Sequence, residues 1–143
     1  MPIFWRDEMG VGDDLIDSDH RYLICLINTV ELSMREKEDN QTILMAIDQL
    51  EQYTQRHFSG EEALQMRIGY PQRMAHHQRH GELMAQLGQF KQKIAKLRID
   101  SDHYHHTVAG LIDFLRKWLL DHVIKEDLLM KPHILAHGSR GDS

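Results

Sequence analysis

The stretch His57-Phe58-Ser59-Gly60-Glu61-Glu62 decides how the rest of the chain is interpreted. His57 and Glu61 are four residues apart, so on a helix they share a face and lie one turn from each other. An isolated pair of this kind is usually a solvated surface pair. Here the pair lies on an apolar stripe, which predicts a helix that directs an imidazole and a carboxylate into a protein core.

Four long stretches of the chain carry apolar residues at three- and four-residue steps, the period of an amphipathic helix. No alternating strand pattern and no internal repeat accompany them. Short breaks separate the stretches, which favours an all-α, up-down-up-down four-helix bundle. The four stripes are His20, Leu23, Ile24, Ile27, Val30, Met34; Ile43, Leu44, Ile47, Leu50, Thr54, His57, Phe58, Glu61, Leu64; His76, His80, Leu83, Met84, Leu87, Phe90, Ile94, Leu97; and Val108, Leu111, Ile112, Leu115, Trp118, Leu119, His122.

The breaks divide the chain into three parts. Residues 1–17 form an irregular N-terminal arm whose Trp5 folds back on the bundle, residues 18–131 form the bundle, and residues 132–143 form a C-terminal tail that is disordered from Gly138. Gly69-Tyr70-Pro71 ends the second helix, because glycine adopts the left-handed conformation after a helix and proline does not continue one. Asp100-Ser101-Asp102 offers capping side chains for the fourth helix, and Pro132 marks its end.

Composition excludes several classes of protein. The 143 residues fit one soluble domain, and a net charge of −5 argues against a nucleic-acid partner. No secretory signal and no membrane-spanning apolar run is present, and the single cysteine, Cys25, cannot form an intramolecular disulfide, so we expect a cytoplasmic protein with Cys25 buried. The 11 histidines suggest metal, although a solvated histidine-rich surface accounts for His77, His103, His105, His106, His133 and His137.

Polar residues with metal-ligating side chains interrupt the apolar stripe of every helix. His76 and His80 share a face four residues apart, His20 opens the first stripe and His122 closes the fourth. A single histidine on an apolar face is more often a packing residue than a ligand. Four helices that all direct such groups inward are better explained by a metal site, since a bound metal offsets the cost of burying them together.

Asp127 departs from this pattern because it follows His122 by five residues, which is about 140° around a regular α-helix. A π-type turn would bring the two side chains onto one face, and such turns concentrate at functional sites. We therefore predict a π-bulge between His122 and Asp127. The alternative is an ordinary exposed aspartate at a fraying helix end.

The order of these residues resembles the hemerythrin family. The resemblance covers residues 5–130, approximately, and all seven of the family's ligand positions are filled in order. Four motifs carry it: Ile16-Asp17-Ser18-Asp19-His20; His57-Phe58-Ser59-Gly60-Glu61-Glu62, which resembles HFxxEE; Tyr70-Pro71 with His76 and His80, which resembles YPxxxxHxxxH; and Trp118-Leu119-Leu120-Asp121-His122 with Asp127, which resembles WLxxHxxxxD.

The resemblance implies a di-iron site that binds O2 as its ligand. In such a site a bridging oxo or hydroxo group joins the two irons, and one coordination position stays open on the iron held by two histidines. Carried over residue by residue, His76, His80 and His122 hold one iron, His20 and His57 hold the other, and Glu61 and Asp127 bridge both.

Apolar residues near the ligands are expected to wall the open position and to exclude water, namely Leu23, Ile24, Phe58, Leu119 and Val123. The chain departs from the family at three places. Asp19 stands where Gln is frequent, Gln65 where Met is usual, and Met130 where an aromatic residue is frequent. None of these departures removes a ligand. We therefore expect them to affect oxygen affinity and autoxidation and not the presence of the metal site.

Reversible O2 binding for storage, transport or delivery is the expected function, without catalysis. The alternatives are an O2 or redox sensor and a di-iron redox enzyme acting on peroxide or nitric oxide. Ferritin-like di-iron proteins use more carboxylates, in Glu-x-x-His motifs, and the ligands here lack that pair. Tyr22 and Tyr53 are the candidate proton donors for O–O cleavage, but the helix period places both off the ligand stripe. We expect a monomer that passes O2 to an O2-consuming enzyme.

Overall fold

The computed structural model describes residues 2–37, 39–98 and 100–141, with the side chains of His122 and of residues 139–141 outside the described set. Its helices are α1 (Asp14–Arg35), α2 (Asn40–Ile68), α3 (Arg73–Ala95), α4 (Tyr104–Lys117), a π-helical segment (Trp118–Ile124), α5 (Lys125–Leu128) and α6 (Lys131–Gly141), preceded by a 3-10 turn at Asp7–Met9. The segments from α4 to α5 form one continuous rod, so the predicted four-helix bundle is confirmed.

Local chemistry explains where the long helices begin and end. Asp13 accepts a hydrogen bond from the backbone N–H of Ile16 at 3.0 Å and caps α1, and Asp39 accepts one from Thr42 at 2.8 Å and caps α2. Gly69 ends α2 in the left-handed conformation, with φ at 64°. The break predicted around residues 38–40 includes Glu38, which lies outside the described residues.

The predicted stripes form the core. Nearly all of their described side chains are buried, and Leu44 and Met84 are half-buried against the same cluster. Trp5 of the N-terminal arm packs on this core as predicted, with the guanidinium of Arg21 4.8 Å from its ring centre. A second apolar cluster closes the end of the bundle, where Val11 and Ile16 meet Met130 and Ile134.

Several sequence-based boundaries differ from the structure. Helix α1 begins at Asp14, inside the segment expected to form the arm. The rod ends at Leu128 and α6 then continues through Gly141, so residues 138–141 of the tail expected to be disordered are helical, and residues 142 and 143 lie outside the described residues. Pro132 lies in the first turn of α6. Proline is tolerated there because the N–H groups of the first turn have no acceptor within the helix. The fourth helix begins at Tyr104, and neither Asp100 nor Asp102 caps it, since its N-cap is His103 without a side-chain bond.

None of the helices in the described part of the chain is long and apolar enough to cross a membrane.

Candidate metal centre

The structure brings together six of the seven side chains predicted as metal ligands. They come from α1, α2, α3 and α5, and each is buried, with at most 8% of any of them exposed: His20, His57, Glu61, His76, His80 and Asp127. The seventh, His122, lies on the π-helical segment, but its side chain lies outside the described residues. The described donor atoms form two groups of four, within 4.8 Å of one another in each group, and both groups share Glu61 and Asp127.

The first group joins α1 and α2 to the carboxylates. Nε2 of His20 lies 2.8 Å from Oδ2 of Asp127 and 3.3 Å from Oε1 of Glu61. Nε2 of His57 lies 2.7 Å from Oε1 of Glu61 and 3.8 Å from Oδ2 of Asp127. The two histidines therefore face the same oxygen of each carboxylate.

The second group uses the opposite oxygens. Nε2 of His76 lies 2.8 Å from Oδ1 of Asp127 and 3.6 Å from Oε2 of Glu61, and Nε2 of His80 lies 3.1 Å from Oε2 of Glu61. Glu61 and Asp127 thus each present one oxygen to the histidines of α1 and α2 and the other to the histidines of α3. This is the arrangement expected of carboxylates that bridge two cations.

The predicted π-helical turn is present, and it is longer and earlier than expected. It spans Trp118–Ile124, so it includes His122 but ends before Asp127. Helix α5 then carries Asp127 to a position where it is only 1% exposed and contacts histidines of α1 and α3. The alternative of an exposed aspartate at a fraying end is therefore wrong.

The carboxylates and histidines of the cluster shift one another's pKa values. Burial opposes a charge on His20, but hydrogen bonds to Asp127 and Glu61 outweigh burial and raise its pKa to about 9. The same balance between burial and the carboxylates raises the pKa of His76. Burial also opposes a charge on His57, but the negative charge of Glu61 outweighs it and raises the pKa of His57 well above its usual value. Burial opposes the charge on Glu61, yet the histidines hold its pKa well below the usual range. Positive charge at this centre therefore compensates the buried carboxylates.

The donor atoms fit metal ions better than they fit a hydrogen-bond network. Although Nε2 of His57 lies 2.7 Å from Oε1 of Glu61, its orientation forms no hydrogen bond, which leaves a buried nitrogen without a hydrogen-bond partner among the described side chains. Buried polar atoms are seldom left in this state. Imidazole nitrogens and carboxylate oxygens suit iron and similar divalent metals.

Comparison with known proteins agrees with this geometry. Residues 11–135 match the family model described as "Hemerythrin HHE cation binding domain".

The chain belongs to the hemerythrin family. It is similar to Bacteriohemerythrin of Clostridium acetobutylicum, at 30% identity over 86% of this chain and 94% of that protein. It is also similar to Bacteriohemerythrin of Stenotrophomonas maltophilia, at 27% identity over 94% of this chain and 83% of that protein. The crystal structure of wild-type hemerythrin has the same fold, with a TM-score of 0.74 at 22% identity, and the match covers 94% of this chain and 98% of that chain.

The apolar residues predicted to wall the site belong to the buried core. They are all at 5% exposure or less: Leu23, Ile24, Phe58, Leu119 and Val123. The ring of Phe58 lies parallel to that of His80, with centres 3.8 Å apart and planes 4° apart. This stack leaves the imidazole of His80 little freedom to rotate.

The sequence pattern predicted no contact with the ligands for two carboxylates behind the histidines, Asp19 and Glu62, although Asp19 was noted as a departure from the family. Asp19 accepts a hydrogen bond from Nδ1 of His57 at 2.9 Å and another from the hydroxyl of Tyr53 at 2.7 Å. Oε1 of Glu62 lies 3.5 Å from Nδ1 of His80, so Glu62, expected to face outward, is half-buried beside the site. The available signals were weak: Asp19 adjoins His20, Glu62 adjoins Glu61, and Tyr53 lies one turn before His57.

The other expectations about single residues have mixed outcomes. Cys25, expected to be buried, is exposed, because its position on α1 lies outside the apolar stripe. His77 is exposed as expected and contacts Glu62. Gln65 is fully buried and donates a hydrogen bond from Nε2 to the sulfur of Met130 at 3.2 Å.

Proposed function

We propose that this chain binds O2 reversibly at a non-heme di-iron site. In this proposal His20 and His57 hold one iron, the histidines of α3 and His122 hold the other, and Glu61 and Asp127 bridge them together with an oxo or hydroxo group. The observation that carries the proposal is the division of the two buried carboxylates, each of which offers one oxygen to each group of histidines. A pair of bound irons would supply the reversible electron transfer that O2 binding requires.

The ligand set supports iron over a structural zinc ion. Structural zinc sites are four-coordinate and commonly contain cysteine thiolates. Cys25 lies exposed on α1, and the two donor groups of the described residues contain only imidazole and carboxylate. Two shared carboxylates also suit a pair of cations better than a single one, because each oxygen has its own set of histidine neighbours.

The surrounding residues support binding over catalysis. The five apolar side chains proposed to wall the site are buried, and such a wall would limit access of water and protons and favour release of O2 unchanged. Of the two tyrosines considered as proton donors, Tyr53 donates a hydrogen bond from its hydroxyl to Asp19, on the side of His57 away from Glu61 and Asp127. The other, Tyr22, is exposed. Neither provides a proton at the centre.

The partners follow from this role. O2 is the ligand, and an O2-consuming enzyme is the proposed recipient, served by a monomer in the cytoplasm. The same site could report O2 to a sensing partner or act on peroxide or nitric oxide, and the experiment below separates these roles from carriage.

The test combines an iron count with a spectrum. Reduced protein should contain about two irons per chain if Glu61 and Asp127 bridge a pair. An absorption band should appear on exposure to O2 and disappear on degassing. His76→Gln should lose iron, whereas His106→Gln, at an exposed position on α4, should behave as wild type. Immediate and irreversible oxidation of the wild type would favour a redox enzyme or sensor, and a protein that takes up no iron would contradict the site itself.

A further inference from the structure

Behind His57, on the side away from the carboxylates of the site, a chain of hydrogen bonds leads to the protein surface. Nδ1 of His57 donates to Oδ2 of Asp19 at 2.9 Å, and the hydroxyl of Tyr53 donates to Oδ1 of the same carboxylate at 2.7 Å. Asp19 lies on α1, whereas Tyr53 and His57 lie one turn apart on α2. The carboxylate of α1 is therefore held between two side chains of the neighbouring helix.

The two bonds have different consequences for His57. Donation from Nδ1 leaves Nε2, which faces Glu61, as the ring nitrogen that would give up its proton and bind a metal ion. A carboxylate in this position also makes the imidazole a stronger electron donor toward a metal. Each oxygen of Asp19 accepts one hydrogen bond, Oδ2 from His57 and Oδ1 from Tyr53, so both ends of the carboxylate are held.

Asp19 would not stay in this orientation by burial alone. Its side chain is 29% exposed, so water competes with His57 for the carboxylate oxygens. Tyr53 is half-buried, and its ring packs on that of Tyr22 with centres 4.5 Å apart, which limits where its hydroxyl can point. The bond from Tyr53 thus opposes rotation of Asp19 toward solvent.

We propose that Tyr53 is a positioning residue for the metal site, which acts by holding the Asp19 carboxylate against His57. The inference rests on the proposed di-iron function and deepens it. A negative charge held beside one ligand stabilises the more positive, oxidised state of the metal pair. Asp19 and Tyr53 therefore strengthen metal binding at the His20–His57 position and lower the reduction potential of the site.

Three variants separate charge, orientation and packing. Asp19→Asn removes the charge and keeps the shape. Tyr53→Phe removes one hydroxyl and changes no charge at neutral pH. Tyr22→Phe is the matched control, since Tyr22 packs on Tyr53 but lies 47% exposed, outside the bonds to Asp19.

The measurements are Zn²⁺ affinity of the metal-free protein, the reduction potential of the iron-loaded protein and the NMR signal of the His57 Nδ1 proton. Asp19→Asn should weaken Zn²⁺ affinity by about 10–100-fold, the usual cost of losing a carboxylate behind a ligating histidine, and should raise the potential. Tyr53→Phe should shift both quantities in the same directions by less, and the Nδ1 proton signal should move upfield even without metal. Tyr22→Phe should match the wild type in all three.

The outcomes distinguish this inference from the proposed function. Suppose that the wild type binds two irons and that Tyr53→Phe and Tyr22→Phe show the same reduction potential, Zn²⁺ affinity and Nδ1 signal. Tyr53 then only packs against its neighbours, and the inference is wrong. If the wild type binds no iron, the proposed function is wrong and the inference falls with it. The Nδ1 signal of the metal-free protein remains a direct test of the hydrogen bond in either case.

Discussion

Nε2 of Gln65 donates a hydrogen bond to the sulfur of Met130 at 3.2 Å, while its Oε1 is buried without a partner in the described part of the chain. Gln65 lies one turn beyond Glu61 on α2, so this amide adjoins the metal centre. An unpaired buried acceptor lowers the stability of a folded protein by about 1–3 kcal/mol. The thioether of Met130 is only a weak acceptor for the amide N–H of Gln65.

We therefore expect Gln65→Met to increase the free energy of unfolding of the metal-free protein by about 1–2 kcal/mol, because methionine has a similar shape and no polar group to desolvate. Urea denaturation followed by circular dichroism measures this change. Gln55→Met, at an exposed position of the same helix, is the control and should change stability by less than about 0.5 kcal/mol. A destabilised Gln65→Met would show that the amide has a partner, such as a buried water.

The stack of Phe58 on His80 predicts a specific effect on oxidation. Phe58→Leu should lower the free energy of unfolding by about 1–3 kcal/mol, through the lost aromatic volume. It should also let water reach the centre and accelerate irreversible oxidation of the iron-loaded, reduced protein. Stopped-flow or conventional absorption spectroscopy in air follows that oxidation.

Phe90→Leu is the matched control for that experiment. Phe90 is also buried and stacks on an aromatic ring, that of Phe114, at a centre distance of 5.8 Å. It should cost a similar amount of stability without changing the oxidation rate. Equal acceleration in both variants would mean that general loosening of the bundle, and not the wall beside His80, controls oxidation.

The exposure of Cys25 predicts a thiol that reacts in the folded protein. One thiol per chain should be titrated by a thiol reagent without denaturant, since Cys25 is the single cysteine and is exposed on α1. Cys25→Ser should leave the free energy of unfolding within about 0.5 kcal/mol of the wild type, as is usual for surface positions. A thiol that reacts only in urea would contradict the exposed placement.

Periodic features of this chain were predictable from sequence. An apolar residue at every third or fourth position predicts a helix and its buried face, and the described ligand candidates on those faces came together as expected. The i+5 spacing of His122 and Asp127 also predicted a π-helical turn, because a regular α-helix cannot place both on one face.

Features that depend on how side chains reach between helices were not predictable in this way. Asp19 precedes a ligand by one residue, so its own helix period places it off the stripe, and only the packing of α1 against α2 brings it to His57 and Tyr53. Similarly, Gly138 and its neighbours carry composition typical of a loose tail, yet α6 begins with Pro132 in its first turn and packs Ile134 against Met130. Tertiary contact decides such segments.

A buried ion pair far from the metal centre gives a prediction with a defined pH dependence. Glu31 of α1 is 5% exposed and receives two hydrogen bonds from Nη2 of Arg116 of α4, at 2.7 and 2.9 Å, and one from Nε of Arg35 at 3.1 Å. Burial opposes the charge on Glu31, but the bonds from Arg116 and Arg35 outweigh it and lower the pKa below its usual 4.5.

A pKa that is lower in the folded than in the unfolded state adds stability above the unfolded value, and this stability is lost as the pH falls through the folded value. Glu31→Gln should therefore lower the free energy of unfolding of the metal-free protein at pH 7, by about 1–3 kcal/mol, since Arg116 keeps some contact with solvent. The difference from wild type should persist down to pH 4.5 and shrink below it as Glu31 is protonated. Urea denaturation at several pH values measures it, with Glu36→Gln, at an exposed position, as the control that should show almost no difference at any pH. A difference that stays constant through the acid range would mean that Glu31 acts through packing and not through its charge.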